Sequence, residues 1–597
     1  MFFEKGQSLE LEISEYYCAH RALNFRNIMN FFYRLSIYKV LIISSLLFVA
    51  CTTESDSKSD STSPNILLIV ADDLGYTDLG CFGGEIRTPH LDALAAQGIR
   101  NTAFYTAPTC SPTRAMLLSG VDNHRNGYGT MEGDWAENQL GVRGYEGHLN
   151  FDVVTFPKLL QDQGYHTSIA GKWHQAYPAT NQDLWPEKRG FNRSFNMVQG
   201  GAGHFSDQQR LFSFFDKTIY IENGKEIDSL PKSFYSSDFY TQKAIEYIDE
   251  SRVLNKPFFT FLSFTAPHWP LQIPDDDIDL YKGRYDEGYE ALSKERLQRT
   301  IELGIIPKNT NLPPISPNVL PWNELSEPNK KKSSRIMEIY AAMVERMDRN
   351  IGVLIDHLKS TDQYNNTLII FMSDNGAEGN SIWGVADTRE WVANNFDNSF
   401  ENLGRENSYI FTGPSWAQVS SLPFRWYKGF STEGGVRTPS IISFPKWSQR
   451  KGSINDQYVS VMDLAPTILE MANIEHPETT YNGRSIFAMD GTSLFSWLSG
   501  VGNYPHAQDK AHCWELYGRR AVLKGKWKAE WQDAPYGNDA WELYNLEEDL
   551  TQLNNLADSN PKKMEEMIAH FQAYSKKYNL TLPNEKVAYG SDDIWRE

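Results

Sequence analysis

Four short apolar runs, each stopping abruptly at polar residues, constrain this chain more than any other feature. Residues 65–70 end in Ala71-Asp72-Asp73, and residues 167–170 lead into Gly171-Lys172-Trp173-His174. Residues 258–264 lead into Thr265-Ala266-Pro267-His268, and residues 367–372 into Ser373-Asp374-Asn375-Gly376. Runs of this length, apolar and partly β-branched, suit buried strands. Helical periodicity lies between them, at residues 91–97, 156–163, 238–250 and 335–358. Strands alternating with helices predict an α/β fold with a largely parallel sheet. Ligands of such sheets sit beyond the carboxyl ends of the strands. The four runs would therefore deliver Asp72, Asp73, Lys172, His174, His268, Asp374 and Asn375 to one edge.

The chain has 597 residues, of which 41% are hydrophobic and 13% aromatic. That is enough for a large core and two domains. The formal net charge is −19, which argues against a nucleic-acid partner, because phosphate binding needs clustered Lys and Arg. Any anion site must be built locally, against the global field. Five cysteines do not make a disulfide scaffold. Cys81 and Cys513 could pair in an oxidising compartment, but two isolated buried thiols are the reading adopted.

Residues 29–51 read as a signal peptide. Arg34 and Lys39 precede the apolar run 40–49, which is too short to span a bilayer as a stable helix. Leu47-Phe48-Val49-Ala50-Cys51 resembles a bacterial lipobox, with Phe48 where an aliphatic residue is usual. Residues 52–64 are polar and read as a flexible tether. A lipid on Cys51 would then anchor an exported protein to a membrane, in the periplasm or at the cell surface; an ordinary cleaved secretory signal is the alternative. Residues 1–28 fit no leader pattern and read as an upstream extension, with Met29 a candidate start.

Further along, residues 275–334 are rich in charge, Pro and Asn. They read as a surface excursion bordering the site, with a short helix near 292–303. Small and turn residues at 499–506 mark a boundary. Residues 520–528 and 541–545 alternate as exposed strands do, and 562–578 has helical periodicity. The expected organisation is a catalytic domain at 65–498 and a smaller α+β domain at 499–597.

Cys110-Ser111-Pro112-Thr113-Arg114 opens a predicted helix. Pro112 suits a first helical turn, and Arg114 follows Cys110 by four residues, so both share one face. The helix start adds free N–H groups and partial positive charge. A reactive side chain, a guanidinium and an anion-binding helix end then meet, which suits a tetrahedral oxyanion. A buried cysteine capping a helix is the plain alternative. Asp72, Asp73, Asp374 and Asn375 offer only oxygen ligands, which select Ca²⁺ or Mg²⁺ over zinc; caps and turn formers are the alternative there. Lys172 and His174 flank Trp173, and His268 sits between Pro267 and Pro270. Lys428 precedes Gly434-Gly435, a pair implying a tight backbone path near a ligand or strand.

The pattern Cys110-x-Pro112-x-Arg114 followed by Leu118-x-Gly120 resembles the signature of the type I, formylglycine-dependent sulfatases. From 65 to about 580 the chain resembles the bacterial arylsulfatases of that family. Supporting segments are Gly83-Gly84-Glu85-Ile86-Arg87-Thr88-Pro89, Ala266-Pro267-His268-Trp269-Pro270-Leu271, Tyr340 to Asp348 and Trp541-Glu542-Leu543-Tyr544-Asn545-Leu546. The resemblance implies an alkaline-phosphatase-like fold with a small C-terminal domain. It implies that a formylglycine-generating enzyme converts Cys110, and that Asp72, Asp73, Asp374, Asn375 and the converted Cys110 bind one divalent ion, Ca²⁺ or else Mg²⁺. By the same resemblance Arg114 holds the hydrated aldehyde, and Lys172 and Lys428 bind sulfate oxygens. His174 steadies the nucleophile and helps eject sulfate, and His268 protonates or polarises the leaving oxygen. The implied activity is arylsulfatase-type hydrolysis of a small-molecule or glycan sulfate ester. Rival readings are a phosphodiesterase or phosphonate monoester hydrolase of the same superfamily, and a non-catalytic binder of sulfated glycans.

Overall fold

The computed structural model describes residues 63–317, 319–380 and 387–587. The expected upstream extension 1–28, the expected signal peptide 29–51 with its lipobox-like Cys51, and most of the expected tether lie outside the described residues. No helix among those described is long and apolar enough to cross a membrane.

The central sheet has eleven strands. They are β1 Asn65–Ala71, β2 Ile99–Tyr105, β3 His166–Lys172, β4 Arg193–Met197, β5 Tyr220–Glu222, β6 Lys225–Glu226, β7 Phe258–Ser263, β8 Thr367–Ser373, β9 Arg437–Ser443, β10 Ser453–Asn455 and β11 Val459–Ser460. Their order is β10-β2-β9-β8-β1-β7-β3-β4-β5-β6, with β11 also on β2. The middle, β8-β1-β7-β3-β4, is wholly parallel. β9 runs antiparallel to both its neighbours, as does β5, so the sheet is mixed and largely parallel, as expected.

β1 is buried on both sides because its alternate residues feed two cores. Leu67 and Ile69 pack into one, and Ile66, Leu68 and Val70 into the other. That explains an unbroken apolar run where a half-exposed strand would alternate. The first core is roofed by the 34-residue helix Glu327–Ser360, packed on the helices Ser236–Val253 and Pro89–Gln97.

The segment 275–334 is more than a surface excursion. Its helix Tyr289–Glu302 buries Arg296 completely, and that guanidinium pairs with Asp78 and Glu85 in the loop after β1. Tyr285 and Tyr289 also enter the core.

A hairpin, β12 Thr480–Tyr481 and β13 Arg484–Ser485, precedes a four-stranded antiparallel sheet. This sheet comprises β14 Ala511–Leu516, β15 Arg519–Lys524, β16 Trp527–Gln532 and β17 Ala540–Asn545. The run expected as one exposed strand at 520–528 is two strands with Gly525 in the turn between them. Neither face is exposed. Val522, Ala529 and Leu543 pack on Met567 and Phe571 of the helix Pro561–Tyr578. Trp514, Ala521 and Leu523 pack on Ala103, Tyr105 and Val436 of the main body. The alternation of charge arises because Lys528 and Glu530 are buried in ion pairs with Glu433 and Arg425. Cys81 and Cys513 are free thiols, so no bridge joins them.

Candidate active site

Register brings the two acidic pairs together. β1 and β8 are parallel neighbours with Ala71 opposite Ser373, so Asp72-Asp73 and Asp374-Asn375 leave the sheet side by side. The Asp73 amide donates to Asp374 Oδ1 at 3.2 Å. Asp73 adopts φ +65° and His174, just after β3, φ +53°. Left-handed backbone is uncommon for non-glycine residues and concentrates at functional sites.

The helix Cys110–Ser119 starts at Cys110 itself, after an extended Thr109. Its first turn points into the acidic cluster. Cys110 Sγ lies 3.9 Å from Asp73 Oδ1. One turn on, Arg114 Nε donates to Asp374 Oδ2 at 2.8 Å, and its Nη1 to Ser263 Oγ at 2.6 Å. Its Nη2 lies 3.6 Å from Asp72 Oδ1.

Two lysines complete a ring of positive charge. Lys172, the last residue of β3, donates to both oxygens of Asp72 at 2.8 Å. Lys428 lies 2.9 Å from Asp73 and 2.8 Å from Glu378. Lys428 is held by a turn whose backbone packs against Gly434 and Gly435. A Cβ on Gly434 would come within 2.0 Å of the Trp426 carbonyl, and one on Gly435 within 2.0 Å of Phe430. The tight path expected of that pair is therefore a chain-against-chain contact.

The histidines stand at the rim of this ring. His268 Nε2 is 3.5 Å from Asp73 Oδ2, while its Nδ1 donates to the Trp269 carbonyl. His174 Nε2 is 2.6 Å from Glu132 Oε1. Burial, reinforced by Lys172, Arg114 and Lys428, drives the His174 pKa far below its ordinary value. Burial does the same to His268, against the pull of Asp73. Both rings are held neutral in the free site, suited to exchange protons with a ligand.

Burial also pushes the Cys110 thiol up, against Lys172 and Lys428. A thiol so protonated is a poor nucleophile. Asp72 is pushed up by burial, with Asp374 and Asp73 beside it, despite Lys172. For Asp73 the burial penalty is overcome chiefly by Lys428, helped by the Asn375 hydrogen bond, so it stays ionised.

The donors suit a hard divalent cation. Oxygens of Asp72, Asp73 and Asp374 and the sulfur of Cys110 lie within 4.8 Å of one another. Asn375 donates its Nδ2 to Asp73, while its buried Oδ1 has no hydrogen-bond partner among the described residues. A buried carbonyl oxygen left so is costly unless something accepts its lone pairs. Oxygen-rich ligation of this kind matches Ca²⁺ or Mg²⁺.

Every residue singled out from sequence is thus in one buried cluster: Asp72, Asp73, Cys110, Arg114, Lys172, His174, His268, Asp374, Asn375 and Lys428. Sequence reading missed Glu132, Ser263 and Glu378. Glu378 lay within reach, three residues past Asn375 in the same loop. Ser263 closes β7 and could have been read as a strand-end residue. Glu132 sits in an irregular loop and carried no signal.

The chain matches the family model described as Sulfatase over residues 64–474, and that described as N-sulphoglucosamine sulphohydrolase, C-terminal, over 423–578. It is 42% identical to an uncharacterized sulfatase of Schizosaccharomyces pombe, covering 89% of this chain and 97% of that protein. It is 39% identical to an arylsulfatase of Klebsiella aerogenes, over 72% of this chain and 91% of that one. Among solved structures, Ps i-CgsB in complex with a neocarrahexaose superposes with a TM-score of 0.61 at 26% identity, covering 89% of this chain and 96% of that one. The alkaline-phosphatase-like architecture, the single polar edge and these matches agree: the chain belongs to the sulfatase family and is a sulfuric ester hydrolase.

Proposed function

We propose that the protein is an exported sulfatase of arylsulfatase type, acting through formylglycine made from Cys110 with one divalent ion, Ca²⁺ or else Mg²⁺. The observation that carries this reading is the ring of three buried cations, Arg114, Lys172 and Lys428, closing on Cys110 and the acidic cluster. A sulfate monoester presents one negative charge spread over three oxygens. Fixed positive charge in a water-poor site stabilises that charge as it shifts during transfer.

Asp72, Asp73, Asp374 and Asn375 would hold the ion, which would supply further positive charge at the sulfate oxygens. Conversion of Cys110 would supply a hydrated aldehyde, of which one hydroxyl takes up sulfate and the other lets it go without water attacking sulfur. Arg114 orients that group from one turn along the same helix. Lys172 and Lys428 bind the sulfate oxygens. His268, its Nδ1 fixed by the Trp269 carbonyl, meets the leaving oxygen. His174 takes the proton whose removal releases sulfate, a role worth about 10²–10⁴-fold.

Residues 65–498 would form the catalytic domain and 499–597 the C-terminal one, with the mature protein tethered from Cys51. An aromatic alcohol is the leaving group favoured, because the arylsulfatase of Klebsiella aerogenes covers most of the chain. A sulfated sugar is the second reading, since the structure of Ps i-CgsB holds an oligosaccharide.

The test is hydrolysis of nitrophenyl sulfate by protein co-expressed with a formylglycine-generating enzyme, beside Cys110→Ala. Turnover should vanish in the variant while its melting temperature is kept. Equal turnover in both would overturn the mechanism. With Cys110 shown to be converted, no turnover in either would point to phosphonate or phosphodiester substrates, or to a more selective sulfatase.

A further inference from the structure

We infer that Glu132 is a positioning residue for the reaction, holding His174 in the tautomer and orientation that leave its Nδ1 free to accept a proton. The inference rests on the proposed role of His174 as the base that releases sulfate.

Three contacts carry it. Glu132 Oε1 lies 2.6 Å from His174 Nε2. Its other oxygen accepts from Ser111 Oγ at 3.2 Å, and Ser111 is the residue after Cys110. The carboxylate therefore ties the imidazole to the helix that carries the reacting side chain. On its other side the ring meets Gly200, where an added Cβ would stand 2.6 Å from His174 Nε2. Glu132 and the Gly200 backbone thus clamp the Nε2 edge.

The remaining nitrogen has no such partner. His174 Nδ1 is buried and makes no hydrogen bond among the described residues. Besides Glu132, the ring feels the charges of Lys172, Arg114, Lys428 and Asp374, all members of the cluster. Burial pushes the Glu132 carboxyl up to about 7, against Ser111 and Lys172; above that pH it is ionised and can only accept a hydrogen bond. Glu132 therefore requires the proton on Nε2, which leaves the Nδ1 lone pair as the basic one. When Nδ1 takes a proton the ring becomes an imidazolium, and the Glu132 charge then stabilises it from behind. Buried aspartates do this for histidines in hydrolytic triads. Without Glu132, Gly200 still limits the ring but nothing selects the tautomer.

The contact with Ser111 also ties the carboxylate to the Cys110 helix. Gln175 adds a second tie, donating from Nε2 to the Ser111 carbonyl at 3.1 Å.

The experiment compares Glu132→Ala and Glu132→Gln with the parent protein. The first readout needs no conversion of Cys110: ¹⁵N NMR of ring-labelled histidine in unconverted protein, with the His174 signals assigned by His174→Gln. The parent should show His174 with Nε2 protonated and Nδ1 bare, and Glu132→Ala should show mixed tautomers. The second readout is nitrophenyl sulfate kinetics on converted enzyme. Glu132→Ala should lower kcat by about 10²-fold or more, within the range of general-base effects, with KM changed less than about threefold. Glu132→Gln keeps an acceptor without the charge, so it should retain the parent tautomer and recover part of kcat; it also serves if the alanine variant fails to fold. An unchanged His174 tautomer in Glu132→Ala, or a kcat within about threefold of parent, would overturn the inference. A parent that shows the fixed tautomer yet hydrolyses no sulfate ester would overturn the proposed function instead.

Discussion

Replacing Arg296 by Met tests whether the segment 275–334 is part of the core. The guanidinium is fully buried. It donates to Asp78 Oδ1 at 2.7 Å and to both oxygens of Glu85 at 2.7 and 2.9 Å. Asp78 keeps other donors, from Gly75, Tyr340 and Ser420. Glu85 keeps the Tyr285 hydroxyl and its own backbone amide. Methionine fills a similar volume, so the loss is electrostatic. Removing one partner of a buried pair costs about 3–5 kcal/mol, because the other charge stays behind. At about 2 cal/mol/K per residue, a cooperative unit of this size loses roughly 1 °C of Tm per kcal/mol, so Tm should fall by about 3–5 °C.

The pH dependence of that loss has a definite sign. In the parent, burial opposes the Glu85 charge but Arg296 overrides it, holding the pKa below the ordinary value. The parent therefore keeps this stability above the unfolded pKa of about 4.3 and loses it as pH falls through the lower folded value. In Arg296→Met burial dominates and the folded pKa rises, so stability falls as pH climbs past the unfolded value. The gap between the proteins should widen from pH 5 to pH 7.5 in calorimetry or dye-monitored melting. A Tm change under 1 °C at pH 7.5, or a gap of equal size at both pH values, would refute the reasoning.

Two further outcomes follow from the site and from the domain junction. Chelation should abolish nitrophenyl sulfate turnover, with Ca²⁺ restoring it, and Asn375→Ala should raise the Ca²⁺ needed for half-activity by about 10-fold or more; restoration in the variant at the parent's Ca²⁺ level would exclude Asn375 as a ligand. His124 is buried between Asp122 and Glu515 of the C-terminal sheet, at 3.0 and 2.9 Å. Burial opposes its charge, but the two carboxylates hold its pKa up at about 9. Its contribution is complete below about 6.5 and lost as pH rises through about 9, so His124→Gln should flatten the fall of Tm over that interval; an unchanged slope would show that His124 does not join the domains.

The strand ends were legible because a strand buried on both faces must be apolar throughout and can turn polar only where it leaves the sheet. That rule located Asp72, Asp73, Lys172, His268, Asp374 and Asn375 before any coordinates. Helical spacing paired Cys110 with Arg114, since four residues make about one turn. The glycine pair Gly434-Gly435 drew attention to Lys428, and the family resemblance gave it a role, since its surroundings carry no periodic signal. The C-terminal strands were half-read: their alternation was visible, but not that their charged residues face buried partners instead of water.

What the sequence determined by itself is local: which segments are strands or helices, and which polar residues terminate them. Those follow from side-chain periodicity within a dozen residues. What only the tertiary structure decided is which terminations meet, and against what. Glu132 reaches His174 across 42 positions and Lys428 reaches Asp73 across 355. Contacts at such separations depend on sheet order and register, which no local pattern encodes. Arg296 shows the same limit, for an exposed-looking charge on a polar helix became buried once two acids from a distant loop came to meet it.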